Sequence, residues 1–437
     1  MNKEARIKEL NAIKNGVAER EGIPIVLEGE TIKCKVFKIP LEYLIYNKYN
    51  GRIGSLVKSY EKQHGLLEVE KDDDKKTIEK FLYESNEGRN KSTLDDLKKY
   101  KQLKHGIVTS TGKIIDGNRR AMLLNKLYTQ REEHNKAGVD VSWSKYFLAI
   151  ILDESISDDE NKVQELETLV QIGEDAKVDY NAIEKYLKCK ELNRFAEIKD
   201  IAKWMNVDDK MVVKWLSTME LMDDYLETNG YEGIYTRLEK KEDPFLFLND
   251  TLNFYKNGSA AVKWDYDTEF DVHMYKEIAY DFMRAGYEGK DFRNIGRKSK
   301  NGIFCNEKVW KNFTERHEEA KDKIFGDKPE KSVEELIEEL PNAELTDILK
   351  KRDEDFKKRV ANEFKKNMGM SLYELENENE ADEFLILLKK ANDSVDSINR
   401  DNNEYYKSEE ALNLIKEITR KLWDDKKMFD HINKTGV

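Results

Sequence analysis

Hydrophobic and polar positions follow two different periods along this chain, and the change between them divides it. Up to about residue 155, short apolar runs typical of strands alternate with segments of helical spacing. The predicted strands are TIKCKVFKIP at 31–40, GIVTS at 106–110, KIID at 113–116 and KYFLAIILDE at 145–154. Helices are predicted at TLDDLKKYKQLK and at AMLLNKLYTQREEH. This alternation predicts an N-terminal α/β domain over residues 1–157.

Beyond residue 158 the strand signal fades and helical spacing dominates. Two successive helical faces are apolar, the first formed by Ile198, Ile201, Ala202 and Met205, and the second by Val212, Val213, Leu216 and Met219. The polar break at 206–209 between them predicts a helix-turn-helix-like domain at 158–240. A mixed, mainly helical region at 241–330 and a charged helical region at 331–437 are predicted to follow. The fold class is therefore expected to be α+β, with a mostly helical middle and C-terminal part.

Charge is distributed unevenly along the chain. The 437 residues carry a net charge of -12, yet residues 1–130 hold 26 Lys and Arg against 19 Asp and Glu. An anionic ligand is therefore expected to meet the first domain. Three separated cysteines make neither a disulfide framework nor a metal site, and no apolar run approaches the roughly 20 residues of a membrane helix. With no signal-peptide pattern at the N-terminus, we expect a cytoplasmic protein without a membrane partner.

The stretch GKIIDGNRRAMLLNKL, from Gly112 to Leu127, places two arginines where a strand ends and a helix begins. A helix N-terminus already offers unpaired N–H groups and a positive dipole end, so two guanidinium groups there are unfavourable unless an anion binds. Gly117 would let a phosphate approach the backbone, and Arg119 and Arg120 would hold its oxygens in bidentate contacts. The alternative is that both arginines pair with surface carboxylates.

This stretch resembles the second conserved box of the ParB/sulfiredoxin superfamily. The segment KIPLEYLIYNKYNGRI is similar to the first box, which places Asn47, Asn50 and Arg52 at its functional end. The segment ETLVQIGEDAKVDYNAIEKYLKCKEL, followed by the helix pair, is similar to the connection between the nucleotide and DNA-binding domains of ParB. The likeness covers roughly residues 32–228. It implies a nucleoside triphosphate (CTP or ATP) with Mg²⁺, DNA as a partner, and a homodimer.

The resemblance assigns roles residue by residue. It implies that the phosphates are held by Arg52, Gly117, Asn118, Arg119 and Arg120, and that Glu167 or Asp116 supports Mg²⁺ and catalysis. Partition-type ParB proteins have a Glu-Asn-Leu-Gln-Arg run here, whereas this chain has ETLVQIG. Glu167 and Gln171 would take the places of the Glu and Gln of that run. Its Asn and Arg are absent, so we expect nucleotide binding rather than hydrolysis. No cysteine stands beside the arginine pair, which argues against sulfiredoxin-type redox chemistry.

The predicted helix-turn-helix offers few cations for DNA. Residues 161–240 hold 12 Lys and Arg against 17 Asp and Glu. DNA affinity depends largely on phosphate neutralisation, which Lys203, Lys210 and Lys214 are best placed to supply. The alternative is a helix pair used for packing or dimerisation.

Three further features have competing interpretations. KDDDKK at 71–76 is expected to be a solvated loop rather than a metal site, because nothing apolar surrounds it. His105 is expected to be a surface residue, with a catalytic base as the alternative. The C-terminal helices suit an interaction or oligomerisation module.

The favoured function is that of a nucleotide-regulated, DNA-associated protein, either a nucleotide-gated clamp or an NTPase. One rival is a nuclease or small-molecule kinase on the same fold, which needs a carboxylate close to the arginine pair. A second rival is a non-catalytic adaptor that has kept the fold and lost nucleotide affinity.

Overall fold

A mixed five-stranded sheet organises the N-terminal part of the chain. The computed structural model describes residues 2–170, 181–258, 262, 264–299 and 301–435. The strands are β1 Arg20–Leu27, β2 Glu30–Pro40, β3 Gly106–Val108, β4 Ile114–Asp116 and β5 Tyr146–Ile151. Their order across the sheet is β1-β2-β5-β3-β4, and the β3–β5 pair is parallel while the other neighbours are antiparallel.

Helices make up most of the remaining structure. Those within the first domain predicted from the sequence are α1 Lys3–Lys14, α2 Gly54–His64, α3 Asp72–Glu84, α4 Glu87–Tyr100, α5 Asn118–Thr129, α6 Arg131–Lys136 and α7 Glu154–Ser157. The next are α8 Glu160–Thr168, α9 Ala182–Leu192, α10 Ile198–Met205, α11 Asp209–Thr228, α12 Glu242–Lys256, α13 Asp271–Arg284 and α14 Gly289–Arg293. The last are α15 Glu307–Phe325, α16 Val333–Glu339, α17 Leu345–Asp396 and α18 Glu409–Thr435.

Both faces of the sheet are buried. Phe147 and Ala149 of β5 face one apolar core, which also contains Leu124 of α5. Leu148, between them in sequence, and Ile150, after Ala149, face a second core that contains Leu166 of α8. This alternation follows from the two-residue period of a strand, and each fully buried large side chain contributes about 1.5–3 kcal/mol. The two cores fix α5 and α8 on opposite sides of the same strands.

Most of the predicted elements are confirmed. The strands at 31–40, 106–110, 113–116 and 145–154 correspond to β2, β3, β4 and β5, and the helix pair corresponds to α10 and α11. Asn206 ends α10 in the left-handed conformation, and the Asp208 side chain caps α11 by accepting from the Met211 N–H. The chain is thus α+β, with a sheet near its N-terminus and a mostly helical remainder.

The expectation of a solvated loop at KDDDKK is wrong. Helix α3 begins at Asp72, and three aspartates occupy its first turn, where negative charge interacts favourably with the helix dipole. One turn later Ile78 and Leu82 are buried, and they anchor the helix on the first core. The acidic run is therefore a helix start rather than a loop.

The chain divides into two compact units, Met1–Met368 and Gly369–Val437. The divisions predicted at 157, 240 and 330 all lie inside the first unit, where they stay predictions. In the second unit α18 exposes large apolar side chains along its length, among them Ile415, Ile418, Leu422, Trp423 and Phe429. No helix in the described part of the chain is long and apolar enough to cross a membrane.

Candidate functional site

The N-terminus of α5 is open because a glycine occupies the cap position. Strand β4 ends at Asp116, Gly117 adopts the left-handed conformation with φ of 105°, and α5 begins at Asn118. A Cβ at position 117 would lie 2.6 Å from Cζ of Phe147, so packing as well as backbone conformation requires glycine. Phe147 also lies against Gly106, where a Cβ would approach the same atom to 2.3 Å. The first turn of α5 consequently has no side chain from its cap residue to satisfy the N–H groups.

A strongly basic cavity of about 220 Å³ lies at this helix end. The cationic residues that line it are Arg52, Arg89, Lys104, Arg119 and Arg120. Asp116 is the single carboxylate among the described lining residues. Five cations around one anion produce a positive potential that favours a multiply charged anion.

Arg120 is held in place by hydrogen bonds to three groups around the start of α5. Arg120 donates from Nη2 to Oδ2 of Asp116 at 2.7 Å and from Nη1 to the carbonyl oxygen of His105 at 2.8 Å. It also donates to the carbonyl oxygen of Lys104. Arg120 thus joins the first turn of α5 to the end of β4 and to the loop before β3. Carboxylate pairing, the alternative for both arginines in the sequence, is found for Arg120.

A buried polar chain connects the two boxes with the helical region. The side-chain oxygen of Asn118 accepts from the Asn47 N–H at 3.0 Å, and Nδ2 of Asn47 donates to Oε1 of Glu167 at 3.0 Å. Oε2 of Glu167 lies 3.5 Å from Nζ of Lys188 on α9. All four side chains are buried. The three sequence features behind the resemblance therefore meet in space.

Two buried amide atoms at the cavity wall have no hydrogen-bond partner among the described residues. These are Nδ2 of Asn118, whose residue is 2% exposed, and Oδ1 of Asn50. Both residues line the cavity. An unsatisfied buried polar group costs about 1–3 kcal/mol, and a ligand that hydrogen-bonds to it removes that cost. Nδ2 is a donor, so it adds to the anion-binding character of the helix end.

The two carboxylates predicted to support Mg²⁺ are not together. Asp116 lines the basic cavity, whereas Glu167 lines another cavity of about 540 Å³ with Asn47 and Lys113. Each forms an ion pair with a basic side chain, Asp116 with Arg120 and Glu167 with Lys188. In the described part of the chain no three His, Cys, Asp or Glu residues are grouped to hold a metal. These residues do not fit a preformed Mg²⁺ site, and Gln171 lies outside the described residues.

The sequence did not indicate Arg89 or Lys104 as site residues. Arg89 is on α4, and Lys104 precedes β3. Both reach the cavity through tertiary packing, which no pattern within either segment indicates.

The three lysines predicted to contact DNA are placed differently. Lys203 on α10 and Lys210 on α11 are exposed, whereas Lys214 forms a 3.0 Å ion pair with Asp250 of α12. Helix α12 also covers α11 through Asn249, which donates to the hydroxyl groups of Ser217 and Thr218. Part of the predicted DNA-reading helix is therefore occupied by protein contacts.

Comparisons with protein-family models, with curated proteins and with solved structures each gave no match. The resemblance to the ParB/sulfiredoxin superfamily therefore rests on the three segments quoted from the sequence.

Proposed function

We propose that the N-terminal part of this chain binds a nucleoside triphosphate by its phosphates at the N-terminus of α5. The observation that carries the proposal is the convergence of five cationic side chains on an uncapped helix end beside the unpartnered Nδ2 of buried Asn118. The triphosphate supplies several negative oxygens within a small volume, which suits this arrangement better than a single carboxylate does.

The proposal assigns two kinds of role to the lining residues, contact with the phosphates and support of the cavity wall. Arg52, Arg89 and Arg119 contact the phosphate oxygens from three sides, because they come from the loop before α2, from α4 and from α5. Asn118 donates from Nδ2 to an oxygen beside the helix end. Arg120 contributes charge and, through its bonds to Asp116 and the carbonyl groups at 104 and 105, holds the wall in place.

The wider proposal is a nucleotide-regulated, DNA-associated homodimer. The buried chain from Asn118 through Asn47 and Glu167 to Lys188 supports regulation, because a ligand on Asn118 contacts a network that includes α8 and α9. A ligand that binds one arrangement of this network better than another shifts the population by that difference in affinity. The proposed DNA contacts are Lys203 and Lys210. Lys214 would join them by exchanging its ion pair with Asp250 for one with a DNA phosphate. Mg²⁺ would accompany the triphosphate.

An enzyme on the same fold is the second candidate. A nuclease, small-molecule kinase or NTPase needs a carboxylate beside the phosphates, and Asp116 lines the same cavity as the arginines. The ion pair between Asp116 and Arg120 opposes a role of Asp116 as a base unless the ligand displaces that arginine. The third candidate, a non-catalytic adaptor, has no nucleotide affinity.

Calorimetric titration with inorganic triphosphate, ATP and CTP, with and without Mg²⁺, tests the proposal. We expect the wild type to bind, and Arg119→Ala to lose about tenfold or more in affinity, because a charged hydrogen bond contributes about 1.5–3 kcal/mol. The matched control is Arg131→Ala on α6, whose guanidinium group donates to the Tyr128 carbonyl oxygen. No binding by the wild type, or equal binding by the Arg119 variant, would overturn the proposal.

A further inference from the structure

A second cavity of about 800 Å³ adjoins the basic one. Lys104 and Asp116 line both cavities, so the two are neighbours on either side of these residues. The larger cavity lies between β1, the C-terminal end of α8 and the C-terminal end of α10. It thus brings the sheet and the first helix of the helix-turn-helix pair to one site.

The walls of this cavity are mostly apolar. Strand β1 contributes Ile23 through Val26, and the chain after α8 contributes Leu169 and Val170. The end of α10 contributes Trp204, with the polar Lys203 and Asn206 beside it. At the end shared with the basic cavity the lining is polar, with His105 beside Lys104 and Asp116. One end therefore suits phosphates and the other suits a flat apolar group.

His105 is suited to an uncharged hydrogen-bonding partner. Burial, followed by the charges of Arg120 and Arg20, lowers the pKa of His105, while Asp116 raises it to a smaller extent. The imidazole is therefore neutral at pH 7 and presents one donor and one acceptor. A ring with both kinds of group, such as a nucleobase edge, complements it.

The two cavities differ in volume, and this difference bears on which part of a ligand each can hold. Small-molecule sites measure about 300–1,000 Å³. The basic cavity, at about 220 Å³, is below that range, and the neighbouring one, at about 800 Å³, is within it. A nucleotide held only by its phosphates would leave its larger part outside the basic cavity.

We propose that the ligand passes Asp116 and Lys104 and places its base in the apolar cavity, where Trp204 forms one wall. This inference rests on the proposed phosphate site and names the rest of the ligand: a planar, partly apolar group joined to the phosphates. Stacking on an aromatic ring is available to every base. Because Trp204 belongs to α10, the base would contact the helix-turn-helix pair directly, which phosphates at α5 would not do.

The decisive experiment compares nucleotides with inorganic triphosphate. In the wild type we expect ATP or CTP to bind about tenfold or more tightly than inorganic triphosphate, because only nucleotides use the apolar cavity. Val26, which lines this cavity and is 49% exposed, is the position for a filling substitution. Val26→Trp should lower nucleotide affinity about tenfold and leave the affinity for inorganic triphosphate unchanged.

Tryptophan fluorescence provides a second measurement that does not depend on filling. Saturating nucleotide should quench part of the emission in the wild type, and this part should be missing in Trp204→Phe. Equal affinities for nucleotides and inorganic triphosphate in the wild type, or nucleotide quenching unchanged in Trp204→Phe, would overturn the base site while keeping the phosphate site. If inorganic triphosphate and nucleotides both fail to bind, the proposed function itself is wrong and this inference falls with it. Equal weakening of both ligands by Val26→Trp would also count against the base site, because filling the apolar cavity should affect nucleotides alone.

Discussion

The side-chain oxygen of Asn118 accepts a 3.0 Å hydrogen bond from the backbone N–H of Asn47, which lies 71 positions earlier in the chain. This bond uses the acceptor of the Asn118 amide and leaves its Nδ2 donor at the wall of the basic cavity. One side chain therefore both joins the two boxes and presents a donor to a ligand. Substitutions at Asn118 and at neighbouring residues therefore test both the stability of the fold and the affinity for a ligand.

Asn118→Ala should lower the free energy of unfolding by about 1–3 kcal/mol, because it leaves the buried Asn47 N–H without its acceptor. Urea unfolding of the variant measures this loss. The matched control is Asn135→Ala, at an exposed position of α6, which should unfold like the wild type. A variant as stable as the wild type would mean that water or another group satisfies the Asn47 N–H.

Arg119→Ala and Arg120→Ala should both weaken triphosphate binding about tenfold or more. Arg120→Ala should also destabilise the fold, since Arg120 bonds to Asp116 and to two carbonyl oxygens. The stability loss should be about 1–3 kcal/mol, because the Arg120–Asp116 pair is largely buried. Calorimetry of both variants and thermal unfolding of Arg120→Ala measure these effects. An Arg120→Ala variant as stable as the wild type would contradict the structural role of Arg120.

Lys188→Met should be strongly destabilising, by about 3–5 kcal/mol, because it leaves the buried carboxylate of Glu167 without its cation. Adding Glu167→Gln should restore much of the loss, since glutamine keeps an acceptor for Nδ2 of Asn47 and carries no charge. The double-mutant cycle in urea measures this coupling. Additive losses in the cycle would show that the two residues do not interact energetically.

The stability of the helical region should depend on pH through Asp281. Burial alone would raise the pKa of Asp281, but the hydrogen bond to His317 and the charge of Lys321 lower it overall. A carboxylate with a lowered pKa in the folded state stabilises the fold above its unfolded value of about 3.9, and this contribution is lost as pH falls through the folded pKa. Asp281→Asn should therefore lose less stability than the wild type between pH 6 and about pH 3. Urea midpoints across that range test this, and parallel curves for the two proteins would contradict it.

DNA binding, if it follows the distribution of charge, should be modest and fall steeply with salt. Lys210→Glu combined with Lys214→Glu should weaken it only partly, because Lys214 is already paired with Asp250 and residues 1–130 carry a net positive charge. Fluorescence anisotropy with labelled duplex at two salt concentrations measures the effect. Complete loss in the double variant would show that α11 dominates the interaction.

Periodicity predicted the sheet strands and the helix pair because those elements bury one face or both. Strand β1 was missed, since it lies at the sheet edge and half of its REGIPIVL residues are polar, glycine or proline. The acidic start of α3 has the composition of a loop, because its apolar contacts begin a turn later. These errors arise where local composition and tertiary packing favour different structures.

The candidate site was predictable only in part. The residues at the N-terminus of α5 are adjacent in sequence, so the sequence alone indicates Gly117, Asn118 and the arginine pair. It does not indicate the bonds of Arg120 to Asp116 and to the carbonyl groups at 104 and 105, because only the surrounding fold determines what a side chain on a helix contacts. Arg89 reaches the cavity through the packing of α4, which no local pattern reports.

The ring of Phe147 lies against both Gly106 and Gly117, so an aromatic residue at 147 requires glycine at two distant positions of the chain. A side chain at either glycine would occupy the space of Cζ, and replacing the ring with a smaller residue would leave a void beside the phosphate cavity. In relatives of this chain, glycines at both positions should therefore accompany an aromatic residue at 147. A smaller residue at 147 would not release either glycine, because a Cβ at 106 would also lie 2.6 Å from the carbonyl oxygen of Asp116 and position 117 favours glycine through its φ. Two glycines facing one aromatic ring form a pattern by which distant relatives could be recognised when the arginine box alone is too short to identify them.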